Sequence, residues 1–385
     1  MKIAFLGSRG IPARYSGFET FYEQLSTRLV QRGHEVTVYN RSHFIKDVKH
    51  EYKGVKIISL PSIPSKHLDT ITHTFISTLF ALFHSYDIVY YSIVGNSPLV
   101  WMPRMLGMIS VLNVDGEDWA REKWGAFARR YQLWCEKIAC KTSDLIISDA
   151  HGVRQRYLER YRQDSVFVPY GANIQKTESK NVLLKWKLKP EEYILYVGRF
   201  VPENGIDVLI RAFRNLKTNK KLVLIGDAPY VTQYKKYLYD LSDNDPYIIF
   251  TGYAFGQDYS ELSSHAYVSI QPSGVEGTRP ALLDQMGFGN CVIVRDTSVN
   301  QEVVNEYGLF FEDHRPVESL TEVLRTALNH PELVKKYRKR VVERIRSYYN
   351  WELITEFYED LFYRLKKNKS MISYDEFLEE RSLCS

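Results

Sequence analysis

Cysteine is scarce in this chain of 385 residues, with four in all: Cys135, Cys140, Cys291 and Cys384. No CxxC occurs and no Cys/His cluster has zinc spacing, which excludes a disulfide framework, a zinc finger or a thioredoxin-type redox motif as the organising feature. Reduced thiols in a cytosolic protein are the expectation. Long apolar runs are missing too. The longest stretch, Phe75 to Phe83, carries Ser77 and Thr78 and falls well short of the roughly 20 residues that span a bilayer. The chain starts directly on a strand-like run, Lys2-Ile3-Ala4-Phe5-Leu6, so no secretory leader is expected. Nor is there an excess of one charge. Lys+Arg number 51 and Asp+Glu 46, a net of +5, too weak a bias to argue for nucleic acid but suited to phosphates or anionic lipid heads. At 44% apolar and 25% charged, the composition excludes disorder and collagen-like sequence. What the chain has in excess is aromatic residues: 28 Tyr, 19 Phe and 6 Trp, 14% of the total.

The length fits two domains. The first half alternates strand and helix signals. Strands are predicted at 2–6, 35–39, 55–60, 87–94, 109–114, 144–148 and 166–168, with helices over about 17–32, closed by Gly33, and over 126–141. The second half repeats the pattern, with strands at 193–197, 221–225, 247–251, 267–270, 291–294 and 308–311 and helices such as 205–216 and 231–241 between them. This alternation implies βαβ units and a parallel sheet in each half. Pro169-Tyr170-Gly171 and the polar run that follows mark the join. The predicted organisation is therefore residues 1–170, to which a helix over 351–365 crosses back with the polar tail to 385, and residues 171–350.

Four motifs carry chemistry. Gly7-Ser8-Arg9-Gly10-Ile11-Pro12, with Gly17 opening the next helix, is a glycine loop after the first strand that lets backbone N–H groups approach a ligand. Its spacing is not GxGxxG, and the second strand ends Tyr39-Asn40-Arg41 without the carboxylate a dinucleotide site places on the ribose, which argues against NAD. The same turn also serves folds that bind nothing there. Gly198-Arg199, followed by Glu203-Asn204-Gly205, places a guanidinium at the carboxyl end of a strand, where it can grip a diphosphate or simply pair with Glu203. Glu276-Gly277-Thr278-Arg279-Pro280 runs into a helix with Thr278 as its expected N-cap, and Asp284 lies one turn inside. Glu276 and Asp284 can flank one site, one reaching sugar hydroxyls and the other a ribose. Asp115 follows a strand in Asn113-Val114-Asp115-Gly116-Glu117, where it either orients an acceptor hydroxyl or caps a turn. Asp243-Asn244-Asp245 reads as a turn, not a metal site.

With these residues in hand, the chain resembles a GT-B glycosyltransferase of the family 4 type. Glu276-x7-Asp284 is similar to that family's Glu-x7-Glu signature, and Gly198-Arg199 with Glu203-Asn204-Gly205 to its donor-phosphate loop. The opening Gly7 to Thr20, and Asp115-Gly116 with Trp119 and Trp124, resemble a subgroup of bacterial rhamnosyltransferases of polysaccharide assembly. Asn204 stands where many members have Lys, and Asp284 where they have the second Glu. The resemblance implies an α/β, GT-B fold of two doubly wound Rossmann-like domains facing across a cleft, acceptor side first and nucleotide-sugar side second. It implies a hexosyltransferase that moves L-rhamnose from dTDP-rhamnose to a lipid-linked or glycan acceptor, with retention, no metal and no cofactor beyond the donor. Arg199, Glu276 and Asp115 would be the catalytic residues. Gly10, Gly17, Asn204, Gly226, Tyr253, Gly277, Thr278 and Asp284 would bind the donor, and Glu19, Glu117 and Trp119 would lie on the acceptor side. A sugar-nucleotide epimerase and a non-catalytic sugar-nucleotide-binding protein are the alternatives. The basic and aromatic residues of Arg121 to Lys137 suit a membrane surface or an ordinary amphipathic helix, so the expected location is cytoplasmic, or peripheral on the inner face of the membrane.

Overall fold

The computed structural model describes residues 1–14, 17–47, 50–65, 68–114, 125–228, 231–274 and 278–384. The chain divides into two compact units, Met1–Tyr170 with Trp351–Ser385, and Gly171–Asn350.

The first unit is built on eight strands: β1 (Lys2–Leu6), β2 (Glu35–Arg41), β3 (Glu51–Tyr52), β4 (Val55–Leu60), β5 (Ile88–Ser92), β6 (Ile109–Val114), β7 (Leu145–Ser148) and β8 (Val166–Phe167). Their order is β3-β4-β2-β1-β5-β6-β7-β8, so the order reverses between β1 and β5. All pairings are parallel except β3 with β4. That hairpin was not foreseen. It turns on Lys53 and Gly54, both at positive φ, the conformation a two-residue hairpin loop requires. The central strands are near-continuous apolar runs because helices cover both faces of a parallel sheet. In β5 all five residues are buried.

The second unit carries β9 (Tyr193–Val197), β10 (Lys221–Ile225), β11 (Ile248–Gly252), β12 (Val268–Gln271), β13 (Cys291–Arg295) and β14 (Leu309–Phe311). They pair in the order β11-β10-β9-β12-β13-β14, all parallel. This is the doubly wound dinucleotide-fold order, with its switch point between β9 and β12.

The Trp351–Lys366 helix joins the first unit. Phe21 packs its ring on Trp351, Tyr358, Tyr90 and Tyr170 at 5.6–6.1 Å. Tyr358 and Tyr90 meet hydroxyl to hydroxyl at 3.2 Å. Tyr374–Cys384 forms a further helix whose Tyr374 and Phe377 rings pack tilted against Phe357 at 5.2 and 5.1 Å. Much of the tyrosine surplus is core. Tyr22, Tyr39, Tyr90, Tyr91, Tyr193 and Tyr358 are fully buried, each with its hydroxyl hydrogen-bonded, as buried phenols usually are, whereas the buried Tyr157 hydroxyl has no partner among the described residues.

Candidate active site

In an open α/β sheet, ligands bind beyond the carboxyl ends of the strands at the switch point. In the second unit that point is formed by the residues that follow β9 and β12. After β9 the chain runs Gly198-Arg199-Phe200; after β12 it runs Pro272-Ser273-Gly274. Close packing locks these loops together. Gly205 sits at φ 65°, and a Cβ there would lie 2.8 Å from the Pro272 carbonyl oxygen. The Ser273 hydroxyl donates to the Glu203 carbonyl at 2.8 Å. Gly226, at the end of β10, has φ 139°, and a Cβ on it would lie 1.9 Å from the Gly198 carbonyl oxygen. Gly226→Ala therefore meets both a left-handed backbone and an unyielding carbonyl. It is expected to destabilise the second unit by roughly 2–4 kcal/mol, read as a lowered denaturation midpoint.

Arg199 is exposed at this point, and among the described residues it has no ion pair; the alternative pairing with Glu203 is not formed. Its backbone is held firmly, because the Asn204 side chain and the Tyr196 hydroxyl both donate to the Arg199 carbonyl, at 2.8 and 3.3 Å. Asn204 is itself buried and accepts a hydrogen bond from Arg279 Nη1 at 3.1 Å. Burial raises the Tyr196 hydroxyl pKa, and the Arg279 charge, the Asn204 hydrogen bond and the Arg199 charge pull it back. Sequence reading missed Arg279. The signal was its place immediately before Pro280, at the start of a helix rising from the carboxyl end of β12.

That helix is Pro280–Gly287, with Pro280 in the first turn and Arg279, not Thr278, as its N-cap. The expected Thr278 cap is corrected by one residue. Proline lacks the N–H that the first helical position leaves unpaired, and this sets the start. Thr278 is buried. The helix dipole leaves positive character at the carboxyl end of the sheet. Asp284 lies one turn inside. The Tyr259 hydroxyl, itself oriented by a donor bond from Gln285, donates to Asp284 Oδ2 at 3.4 Å. Burial pushes the Asp284 carboxyl up to about 7, against the lowering effect of that bond. Tyr253 follows β11, its ring stacked on Phe255 at 5.8 Å and 41% of its surface exposed. Glu276 and Gly277 lie outside the described residues.

In the first unit, Gly7 and Gly10 follow β1. A Cβ on Gly7 (φ 102°) would lie 2.7 Å from the Ser92 carbonyl oxygen at the end of β5, which is again a switch point. Gly10 (φ 113°) is packed on Asn40, whose side chain exchanges two hydrogen bonds with Ile11, at 3.0 and 2.7 Å. Arg41 donates to the Gly7 carbonyl at 3.3 Å and pairs with Asp69 at 2.7 Å. The β2 end that lacks a ribose carboxylate thus lashes the glycine loop in place. Gly17 is the first residue of the Gly17–Gln31 helix, and the buried Glu19 accepts from the Arg14 N–H at 3.1 Å. Asp115, Glu117 and Trp119 lie outside the described residues.

Residues 181–347 match the family model described as glycosyl transferases group 1, and residues 1–173 match a domain of unknown function, DUF1972. The uncharacterized glycosyltransferase YqgM of Bacillus subtilis is 21% identical over 278 residues, 70% of this chain and 76% of that protein. The O-antigen chain mannosyltransferase B of Escherichia coli is 27% identical over 132 residues, 33% of this chain and 35% of that enzyme. Among solved structures, sucrose-phosphate synthase from Thermosynechococcus elongatus superposes with a TM-score of 0.81 at 19% identity, covering 96% of this chain and 100% of that one. That likeness is one of fold, the GT-B arrangement of two Rossmann-like domains.

Proposed function

We propose that this chain, a glycosyltransferase of GT-B fold whose residues 181–347 match the group 1 glycosyl transferases, moves L-rhamnose from dTDP-rhamnose to a lipid-linked or glycan acceptor in cell-surface polysaccharide synthesis. The observation that carries the transfer reading is Arg199, exposed and unpaired among the described residues at the β9–β12 switch point, with Arg279 one side chain away through Asn204. When a glycosidic bond to a diphosphate breaks, negative charge builds on the leaving phosphate, and preorganised cations there lower the barrier. Two guanidinium groups and a helix N-terminus suit that task, with Arg279 supplying the second cation that Asn204 does not. In this reading Glu276 contacts the donor sugar, Gly226 and Tyr253 lie beside the base, and Asp115 orients the acceptor hydroxyl. Transfer then proceeds with retention, with no protein nucleophile.

The rhamnose reading is supported by the Gly7–Thr20 opening, and the surface-polysaccharide setting by the O-antigen relative. Incubation with dTDP-rhamnose, GDP-mannose and UDP-glucose, with and without a lipid-linked acceptor, tests both. Turnover of dTDP-rhamnose only when acceptor is present is the expected result. Turnover of another donor alone overturns the rhamnose reading, an epimerised donor without acceptor favours the epimerase, and binding without turnover favours the non-catalytic protein.

Asp284 makes the donor reading pH-sensitive. Desolvation pushes its half-buried carboxyl up to about 7, and the ionised form is the stronger acceptor for ribose hydroxyls. Donor binding below that pH therefore releases a proton, and the donor KM is expected to fall as pH rises from about 6 to about 8. Asp284→Asn is expected to flatten that limb and abolish the proton release, measured by calorimetry in buffers of different ionisation enthalpy.

A further inference from the structure

The Asp69–Ala81 helix is inside out. Its inward face is polar: His73, Thr74, Ser77 and Thr78 are buried. Most of these polar groups are served locally, while His73 Nδ1 has no hydrogen-bond partner among the described residues. Thr74 donates to the Thr70 carbonyl at 2.8 Å, the Thr78 hydroxyl meets the Tyr91 hydroxyl at 3.1 Å, and His73 Nε2 lies 3.1 Å from the Asn40 carbonyl. Its largest apolar residues face solvent instead, while Ile71 and Ile76 are half-buried and only the small Ala81 is buried with the polar face. Phe75, Leu79 and Phe80 are each about two-fifths exposed, and Phe83, just past the helix, is 88% exposed. A surface helix ordinarily turns its apolar stripe to the core, so this reversal needs an apolar partner outside the unit. It also explains why the helix was not foreseen, since periodicity marks the buried face.

Neighbouring structure extends the surface. The short Trp101–Arg104 helix packs beside it and exposes Trp101, with Met105 and Leu106 after it. From Thr70 to Tyr86 the sequence has no Lys, Arg, Asp or Glu. The charge lies at the edge. A groove of about 770 Å³ opens against Phe80 and is lined by Lys46, His50, Lys56 and His84, with no Asp or Glu among its lining residues. By contrast, in the 121–137 segment Tyr131 turns inward, its hydroxyl donating to the Gly95 carbonyl at 2.9 Å, while Trp134 stays exposed. Residues 121–124 lie outside the described residues.

We propose that the outward face of the Asp69–Ala81 helix, with Phe83 and the Trp101–Leu106 turn, docks on an anionic phospholipid bilayer, the Lys46/Lys56 groove taking a lipid phosphate. Aromatic and aliphatic side chains enter the interfacial zone while a basic groove meets headgroups, the division of labour of interfacial anchors. A second copy of the chain is a poorer occupant, because a two-fold contact would bring the same basic groove against itself. The surface depends on no feature of the donor site, so it stands or falls apart from the rhamnose reading.

Co-sedimentation of the 385-residue chain with phosphatidylglycerol/phosphatidylcholine vesicles, against phosphatidylcholine alone, is the test. Binding should prefer the anionic vesicles and weaken with salt. Phe75→Ser with Phe83→Ser should lower it at least about tenfold, and Lys46→Ala and Lys56→Ala about fivefold each, all with unchanged melting and unchanged turnover of a soluble acceptor. Phe83→Trp, which keeps an aromatic there, should blue-shift on binding and be quenched by brominated lipid. Wild-type binding by the double serine variant, or a Phe83→Trp emission that ignores the vesicles, would overturn the proposal. So would a dimer of the wild type that the serine variant dissolves, which would make the face a self-contact.

Discussion

Arg199→Ala is expected to lower kcat for sugar transfer by about 10²–10³, roughly 3–4 kcal/mol of barrier. Asn204 and Tyr196 hold the Arg199 carbonyl, so the backbone that carries the exposed guanidinium is set before the donor arrives. In the proposed reading its charge acts on what changes between ground and transition state, the bond to the leaving phosphate, and so kcat should fall more than the donor KM rises. Arg199→Lys keeps the charge but loses the planar fork, and recovery should be partial. Arg279→Ala should cost about tenfold, and the double variant less than the product of the two, as the proposed sharing of one diphosphate requires. Single-turnover kinetics separates these outcomes. A loss confined to KM would reduce Arg199 to a ground-state anchor.

The route to Arg199 was open in the sequence because a parallel strand is a continuous apolar run, and the glycine and arginine that follow stand directly at its carboxyl end. Boundaries such as Tyr193–Val197 and Val55–Leu60 were legible for the same reason. Arg279 was not, since its only signal was its place before Pro280, and the contact with Asn204 leaves no spacing to read. Thr278 was placed one residue early, because Ser and Thr favour caps only where the following proline allows the helix to begin. The two-residue β3 is too short to show alternation. The Asp69–Ala81 helix hides for a different reason: its buried face is the polar one, and a hydrophobic stripe read as core points the wrong way. The absent ribose carboxylate was read as evidence against NAD, yet Asn40 and Arg41 have positive work of their own in fixing the Gly7–Ile11 loop.

Removing Trp351–Ser385 is expected to leave residues 1–350 without a folded first unit, while residues 171–350 expressed alone melt cooperatively. Trp351, Ile354, Phe357, Tyr358, Leu361 and Phe362 are all buried in the first unit. At ~1.5–3 kcal/mol for each buried side chain they contribute on the order of 10 kcal/mol, comparable with the whole stability of a domain. Circular dichroism and thermal melting of the two fragments measure it. Finer substitutions distinguish packing from polar contacts. Phe357→Ala should cost about 3–5 kcal/mol. Tyr358→Phe loses only the hydroxyl contact with Tyr90 at 3.2 Å and should cost about 1 kcal/mol. Glu359→Gln weakens contacts to His34 and Arg32 at 2.7 and 3.2 Å on a partly exposed edge and should cost less than about 1 kcal/mol. That ranking is what an aromatic core predicts. If Glu359→Gln rivalled Phe357→Ala, the ion pairs rather than the rings would fasten the returning helix, and the tyrosine surplus of the sequence would again lack a structural cause.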